Sequence, residues 1–307
     1  MGRNLRSMYY YLSLAILCNV GLFLAFRSFS HFRMNTFQAI VVNYFVCVFT
    51  GVIFLGGFNQ VWQANYQTNW VTLAFVLGAT FIGSFYLLGN ITQRLGVVVA
   101  TVASKMSMVI PVLVSLFFLK IASKSFDLWN YMGMGMALIA ILLSSLKGPL
   151  EISRTGNKAG YLLMPLLLFL AAGSIDALIN FANYRYLTQS DAAIFPLLIF
   201  TSAAFIGLII LFIGKSKIRL KNIVGGIYLG VPNFFSLYFL IKALSAFGND
   251  GALLYPLLNI GIIVFSSLAA VILFREKLSF INKVGIILAV IAIIMLSHQE
   301  IRPILNF

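Results

Sequence analysis

The chain has little charge, almost no histidine and almost no cysteine, and each shortage removes a class of function. Only 9% of its 307 residues are Asp, Glu, Lys or Arg, against about a quarter in a soluble domain. A water-facing surface cannot be built from so few, which excludes a soluble globular fold. The two histidines, His31 and His298, fall at the ends of apolar stretches, and no H-E-x-x-H sequence occurs. An intramembrane protease or transferase needs clustered titratable groups that this pattern does not supply. Cys18 and Cys47 both lie within apolar stretches, where they make neither a disulfide framework nor a metal site. Gly-x-x-x-x-Gly-Lys-Ser/Thr is also missing, which argues against intrinsic ATP hydrolysis. The expectation is therefore a non-enzyme with no metal and no cofactor.

Charge of one sign is scarce too. Seven acidic residues stand against 21 basic ones, a net charge of +14. In a soluble protein that excess would point to nucleic acid. Here the basic residues sit mainly in short connections between apolar stretches, where they meet water and anionic head groups. The expected partners are a lipid bilayer and a small-molecule substrate, and nucleic acid is not among them.

What the chain has in abundance is apolar sequence, at 61% of residues. It falls into ten stretches, near 8–26, 37–56, 70–89, 97–119, 128–146, 161–182, 192–214, 223–243, 251–273 and 280–297. Crossing the hydrocarbon takes roughly 20 residues of helix. The expected fold is all-α integral membrane, with ten transmembrane helices. The first stretch reads as a span: it is too long for a signal-peptide core and no A-x-A site follows. Met1-Gly2-Arg3 begins like a myristoylation site, but Arg6 stands where Ser or Thr is needed.

The second half of the chain echoes the first. At an offset of 152, residues 86–145 align without a gap on 238–297, and fifteen of the 60 pairs are identical. Tyr86 falls on Tyr238, Gly96 on Gly248, Ser115 on Ser267, Asn130 on Asn282 and Gly133 on Gly285. The same offset sets Gly21, Ala25 and Phe29 on Gly173, Ala177 and Phe181. A period this long signals internal duplication. Residues 1–150 and 151–307 then form two five-helix repeats of one membrane domain, joined through the charged connection 147–160. An odd number of spans per repeat inverts the second repeat relative to the first, the plan of many transporters.

Two ionisable residues fall mid-span, Lys105 in the fourth stretch and Asp176 in the sixth. Charge there is costly and usually faces a cavity or another charge. Lys105 shares a helical face with Thr101 and Met108 and would attract a carboxylate or phosphate. The plainer alternative is an ion pair with Asp176. Asp176 opens a polar stripe with Asn180 and Asn183, preceded by Gly173. It reads either as a proton- or cation-coupling group or as the partner that neutralises Lys105. Tyr255, Pro256 and Asn259 open the ninth stretch. Pro256 frees a carbonyl, as Pro111 and Pro232 do elsewhere. Tyr255 and Asn259 lie one turn apart and could hydrogen-bond a ligand, although tyrosine near a span end also serves as an interfacial anchor. Tyr86, Tyr238 and Asn233 join the candidate substrate-binding set, with Asn19 and Asn43 as further polar groups. Each alone is as well explained as glue between helices. Gly133-x-x-x-Ala137, Gly285-x-x-x-Ala289 and Gly226-x-x-x-Gly230 are small-residue pairs that let helices approach closely.

The run from Tyr255-Pro256 through an apolar span to Arg275-Glu276-Lys277-Leu278-Ser279, and then Gly285, resembles the second repeat of the EamA-like branch of the drug/metabolite transporter superfamily. In that branch a Pro-containing ninth span leads to a Glu-x-Leu-Ser turn and a Gly-bearing tenth span. Ten spans in two halves extend the resemblance over the full chain. The first half departs from it, with Ser123-Lys124-Ser125-Phe126 where the family often has a Glu-containing turn. The resemblance implies export as the usual direction, both termini inside, and fifth and tenth spans that stand apart from the cavity and serve packing or a homodimer. The charge count disagrees on orientation. Thirteen Lys and Arg lie on the face opposite the termini and seven on the termini face, and the positive-inside rule then puts the termini outside.

The leading expectation is a secondary active transporter in the plasma (inner) membrane. It moves a small polar metabolite such as an amino acid or organic anion, by alternating access coupled to protons or exchange. The alternative is a flippase or exporter of lipid-linked or amphipathic compounds, using Lys105 for a phosphate.

Overall fold

In lipid an apolar segment must satisfy its own backbone hydrogen bonds, and the helix is the form that does so within one segment. The computed structural model describes residues 2–54, 56–59, 69–110, 127–145, 158–186, 194–215, 217–246, 251–296 and 298–299. Among these residues there are ten helices and no strand. They are α1 (Gly2–His31), α2 (Thr36–Phe54), α3 (Asn69–Arg94), α4 (Val97–Met106), α5 (Leu128–Ser145), α6 (Lys158–Arg185), α7 (Ile194–Ile213), α8 (Leu220–Ala246), α9 (Gly251–Phe274) and α10 (Phe280–Leu296). Six of them, α1, α2, α3, α7, α8 and α9, are long and apolar enough to cross a membrane. The apolar runs of α4, α5, α6 and α10 are shorter, at 10–17 residues. Outward-facing residues such as Phe212, Phe280 and Ile272 are largely exposed, a belt suited to lipid and ruinous in water.

The helices depart from the apolar stretches where polar groups take over the backbone. α1 and α3 run past residues 26 and 89 to His31 and Arg94. Hydropathy measures transfer into lipid, whereas helicity continues into the interface. Ser28 and Ser30 bond back to the Ala25 and Arg27 carbonyls at 2.7 and 2.9 Å. α4 is the larger departure. The fourth stretch reads as 97–119, yet α4 gives way to a turn at Ser107–Met108, and residues 111–126, Pro111 included, lie outside the described residues. Thr101, Ser104 and Ser107 bond to the carbonyls of Val97, Thr101 and Ser104, and such back-bonding competes with the helical amides.

Small residues set the tightest packings. A Cβ on Gly226 would stand 2.8 Å from the Ala39 carbonyl oxygen, and one on Gly230 2.9 Å from that of Asn43. The Gly226-x-x-x-Gly230 pair therefore lays α8 directly on the α2 backbone. α8 also packs on α1, while α3 packs on α6 and α7, and α2 on α7.

α5 and α10 pack on each other. Gly133 meets the Ala292 carbonyl oxygen, where a Cβ would lie 3.0 Å away, and Ala137 and Ala289 are fully buried. Both helices open with an N-cap box, at Asp127 and Ser279, 152 positions apart in the sequence. Asp127 accepts from the Trp129 and Asn130 amides while its own amide donates to Asn130 Oδ1. Ser279 accepts from the Asn282 amide, and its own amide donates to Asn282 Oδ1. Each asparagine then reaches the far end of the other helix. Asn130 Nδ2 donates to the Leu296 carbonyl at 2.8 Å, and Asn282 Nδ2 to the Leu143 carbonyl at 3.3 Å. The two helices run antiparallel, each fastening the other's last turn.

Candidate functional site

α4 begins where its amides need an acceptor. The acceptor comes from the turn between α9 and α10. Glu276 Oε1 accepts from the Val97 amide at 3.1 Å and from Arg27 Nε of α1 at 3.1 Å. Arg27 Nη1 also donates to the Gln93 and Thr92 carbonyls at 2.9 and 3.4 Å. Gly96 leads into α4 at φ 107°, and a Cβ there would sit 2.9 Å from Glu276 Oε2. Both the backbone angle and the space call for glycine. This cluster joins α1, the α3–α4 turn and the α9–α10 turn at the face of the bundle opposite the termini. It also orients α4, which carries Lys105.

Lys105 is half-buried in the last turn of α4, and its Nζ donates to Asn19 Oδ1 of α1 at 3.3 Å. Asn19 is held in place by its own bond to the Ala15 carbonyl at 2.9 Å. Asp176 of α6 interacts by charge with Lys105 and with Tyr255 of α9. The Lys105 amine nevertheless bonds to Asn19, and among the described residues the close ion pairs of Arg27 and His298 lie elsewhere. The carboxylate-bearing Asp176 is exposed and Tyr255 is half-buried. Glycines let the helices close on this group: a Cβ on Gly173 or Gly261 would collide with Ile110 or Ile16, each at 2.4 Å.

Asn259, one turn beyond Tyr255, is buried and its Nδ2 contacts Met108 Sδ at 3.4 Å. Thr101 is fully buried, and its hydroxyl accepts from Ser266 Oγ of α9 at 3.1 Å. Its hydrogen-bonding capacity is thus spent on helix contacts. Lys105 therefore bonds to Asn19 of α1 and lies within range of the Asp176 charge, as Tyr255 does, while Thr101 of α4 and Asn259 of α9 are taken up in contacts between helices. Asn180 follows Asp176 by one turn of α6, and its side chain lies outside the described set.

The remaining candidates fall elsewhere. Asn233 of α8 is buried and donates to Asn43 Oδ1 of α2 at 3.2 Å, beside Cys47. Tyr238 belongs to an aromatic group with Phe54, Phe234, Phe235 and Phe239, and Lys242 Nζ lies 5.7 Å from its ring centre. Tyr86 is exposed and meets Phe37 edge-on. Sequence reading missed Arg27 and gave Glu276 no role beyond a family marker. A signal was available in Gly96, directly before an apolar run that has no Ser, Thr, Asp or Asn to cap it.

Among the described residues, no three His, Cys, Asp or Glu gather as metal ligands do. An amine and a carboxylate on separate helices, with a phenol and amides beside them, can bind opposite charges of one molecule and can hold a proton. No family model matches the chain. It is 28% identical over 293 residues to an uncharacterised protein of Haemophilus influenzae, covering 93% of this chain and 97% of that protein. A protein of known crystal structure is similar over 96% of this chain and 98% of its own, with a TM-score of 0.63 and 15% identity. That likeness is one of fold.

Proposed function

We propose that the chain is a secondary active transporter of a small polar metabolite that carries both charges, an amino acid being the simplest case. The observation that carries this reading is the Lys105 amine of α4, half-buried in a bundle of apolar helices and bonded to the neutral Asn19 of α1 rather than to a carboxylate, with Asp176 of α6 within range of its charge. Each charge at a bilayer centre costs about 2.5–3.5 kcal/mol, a large share of a total stability of about 5–15 kcal/mol. A cost of that size is offset when the charges meet a ligand of opposite charge. Lys105 binds the substrate carboxylate, Asp176 binds the amino group or a coupling proton, and Tyr255 and Asn259 bind polar edges.

Alternating access suits the same arrangement. The Arg27–Glu276–Val97 cluster is the contact that would hold α1, the start of α4 and the α9–α10 turn together on one side of such a cycle. The reciprocal bonds of Asn130 and Asn282, together with their matching cap boxes, support two inverted repeats of five spans each. The ten helices stand at the ten apolar stretches, and the Glu276 turn fits an EamA-like drug/metabolite transporter. On this reading the chain lies in the inner membrane, is not an enzyme, and exports its substrate.

The test is a thermal-shift screen of detergent-purified protein against amino acids, organic anions, nucleosides and amphipathic drugs, run in parallel on Lys105→Ala. Amino acids are expected to raise the Tm of the native protein and leave the variant unmoved. Equal stabilisation of both would remove Lys105 from the site.

A further inference from the structure

A polar cavity of about 280 Å³ lies between the α1–α2 turn and the α7–α8 turn, on the face opposite the termini. Four cations line it: Arg33, Lys217, Arg219 and Lys221. Among the described residues no carboxylate does so, although Arg27 on the same face has Glu276. Like charges brought together this closely repel one another, and an anion between them turns repulsion into attraction.

The wall of the cavity is a fixed structure. Asn222 Nδ2 and the Arg219 amide both donate to Gln38 Oε1, and Gln38 Nε2 donates to the Lys217 carbonyl at 3.2 Å. The Asn35 amide donates to Asn222 Oδ1 at 2.9 Å, and Asn35 Oδ1 caps α2 through the Gln38 amide at 3.0 Å. Gln38 and Asn222 are buried. This amide lattice locks the two turns together, and Lys221 Nζ adds a bond to the Arg33 carbonyl. The cations are thereby held facing one volume with their turns already ordered, which lowers the entropy lost on binding.

We infer that this cavity binds a phosphate monoester or diester, with Arg33, Lys217, Arg219 and Lys221 as its ligands. Arginine matches phosphate with paired N–H donors and lysine adds point charge. The volume is below the roughly 300–1,000 Å³ of pockets that enclose drug-sized ligands, and fits a head group. Phe32, Ile218 and Leu220 alternate in sequence with the cations and are exposed, Leu220 at 76%. Acyl chains would cover them, which favours an anionic lipid as the source of the phosphate. Basic pockets between membrane helices bind such head groups.

The experiment compares thermal unfolding of the full-length protein in micelles doped with dioleoyl phosphatidylglycerol or with dioleoyl phosphatidylcholine. A third arm adds glycerol 3-phosphate to undoped micelles. Phosphatidylglycerol is expected to raise the Tm, and the rise is expected to vanish in Lys217→Gln/Arg219→Gln while the Tm in phosphatidylcholine stays unchanged. Stabilisation by glycerol 3-phosphate alone, lost in the same variant, would keep the site and assign it to a soluble phosphate. Equal responses of native protein and variant, or no response to either probe, would overturn the inference. Should the double variant fail to fold, the single Lys217→Gln and Arg219→Gln variants are each expected to lose part of the rise.

Discussion

Two oppositely charged pairs sit at different depths of this bundle and are built differently. At the face opposite the termini, Arg27 and Glu276 touch at 3.1 Å and bond outward to the Val97 amide and the Gln93 carbonyl. In the bundle, Lys105 and Asp176 feel each other's charge, yet the Lys105 amine bonds to Asn19 and Asp176 stays open. The first pair uses up its hydrogen-bonding capacity within the fold. The second keeps capacity in reserve, which is what a binding group needs. Position along the apolar runs already separates the two: Lys105 and Asp176 fall within their stretches, whereas Arg27 and Glu276 fall just beyond the ends of theirs.

The comparison is broken most sharply at the second pair. Lys105→Ala and Asp176→Asn are expected to reduce ligand affinity about 100-fold, from the roughly 1.5–3 kcal/mol that a hydrogen bond to a charged group contributes. Unfolding temperature without ligand should change little, since Asp176 is exposed and Lys105 gives up a single bond to a neutral amide. A loss of folding in Lys105→Ala equal to that in Glu276→Ala would mean that both pairs are structural.

At the first pair the expected effect is on stability. Glu276→Ala leaves the Arg27 charge and the Val97 amide without their acceptor, at a cost of about 2–4 kcal/mol. Glu276→Gln still accepts from Val97 and should lose about half as much. Thermal unfolding of the two variants separates the charge from the cap. Gly230→Val tests the scaffold between them. Its side chain enters the Val46 and Asn43 backbone contact, and overpacking of that kind costs about 1–3 kcal/mol. A native Tm in this variant would show that α2 and α8 can separate freely.

The smallest effect belongs to Asp127, at the exposed start of α5. Desolvation would raise its pKa. The Asn130 amide, the His298 imidazole at 2.8 Å and the Trp129 amide outweigh that and hold it below its ordinary value. A depressed folded-state pKa gives stability that is present above about pH 4 and is lost as the pH falls through the folded value. The Tm difference between native protein and Asp127→Ala should therefore shrink as unfolding is followed downward from pH 5. A constant difference would leave only the neutral part of the cap.

Much of the fold was legible because apolar length and the 152-residue offset are local or periodic signals. Apolar length located the ten helices of the described residues, six of them long enough to cross a membrane, and the offset set Asn130 against Asn282. The ends of helices were less legible, since Arg27 and Arg94 read as connection by hydropathy while their backbones stay helical. Lys105 and Asp176 stood out in the sequence as the two charges that fall mid-span. Their neighbours did not stand out: Asn19 lies 86 positions from Lys105, and nothing local marks it. Thr101 shared the right helical face, but periodicity cannot report that Ser266 already occupies its hydroxyl. Glu276 needed a longer reach, 179 positions back to Val97 and further still to Arg27.

The exchange between Asn130 and Asn282 has a consequence for how the chain can be cut or made. Each of the two helices supplies the donor that completes the last turn of the other. Either one made alone would carry an unanswered carbonyl at its end and an idle amide at its start. A cut anywhere between α5 and α10 therefore leaves two pieces whose helices are completed only by reassociation.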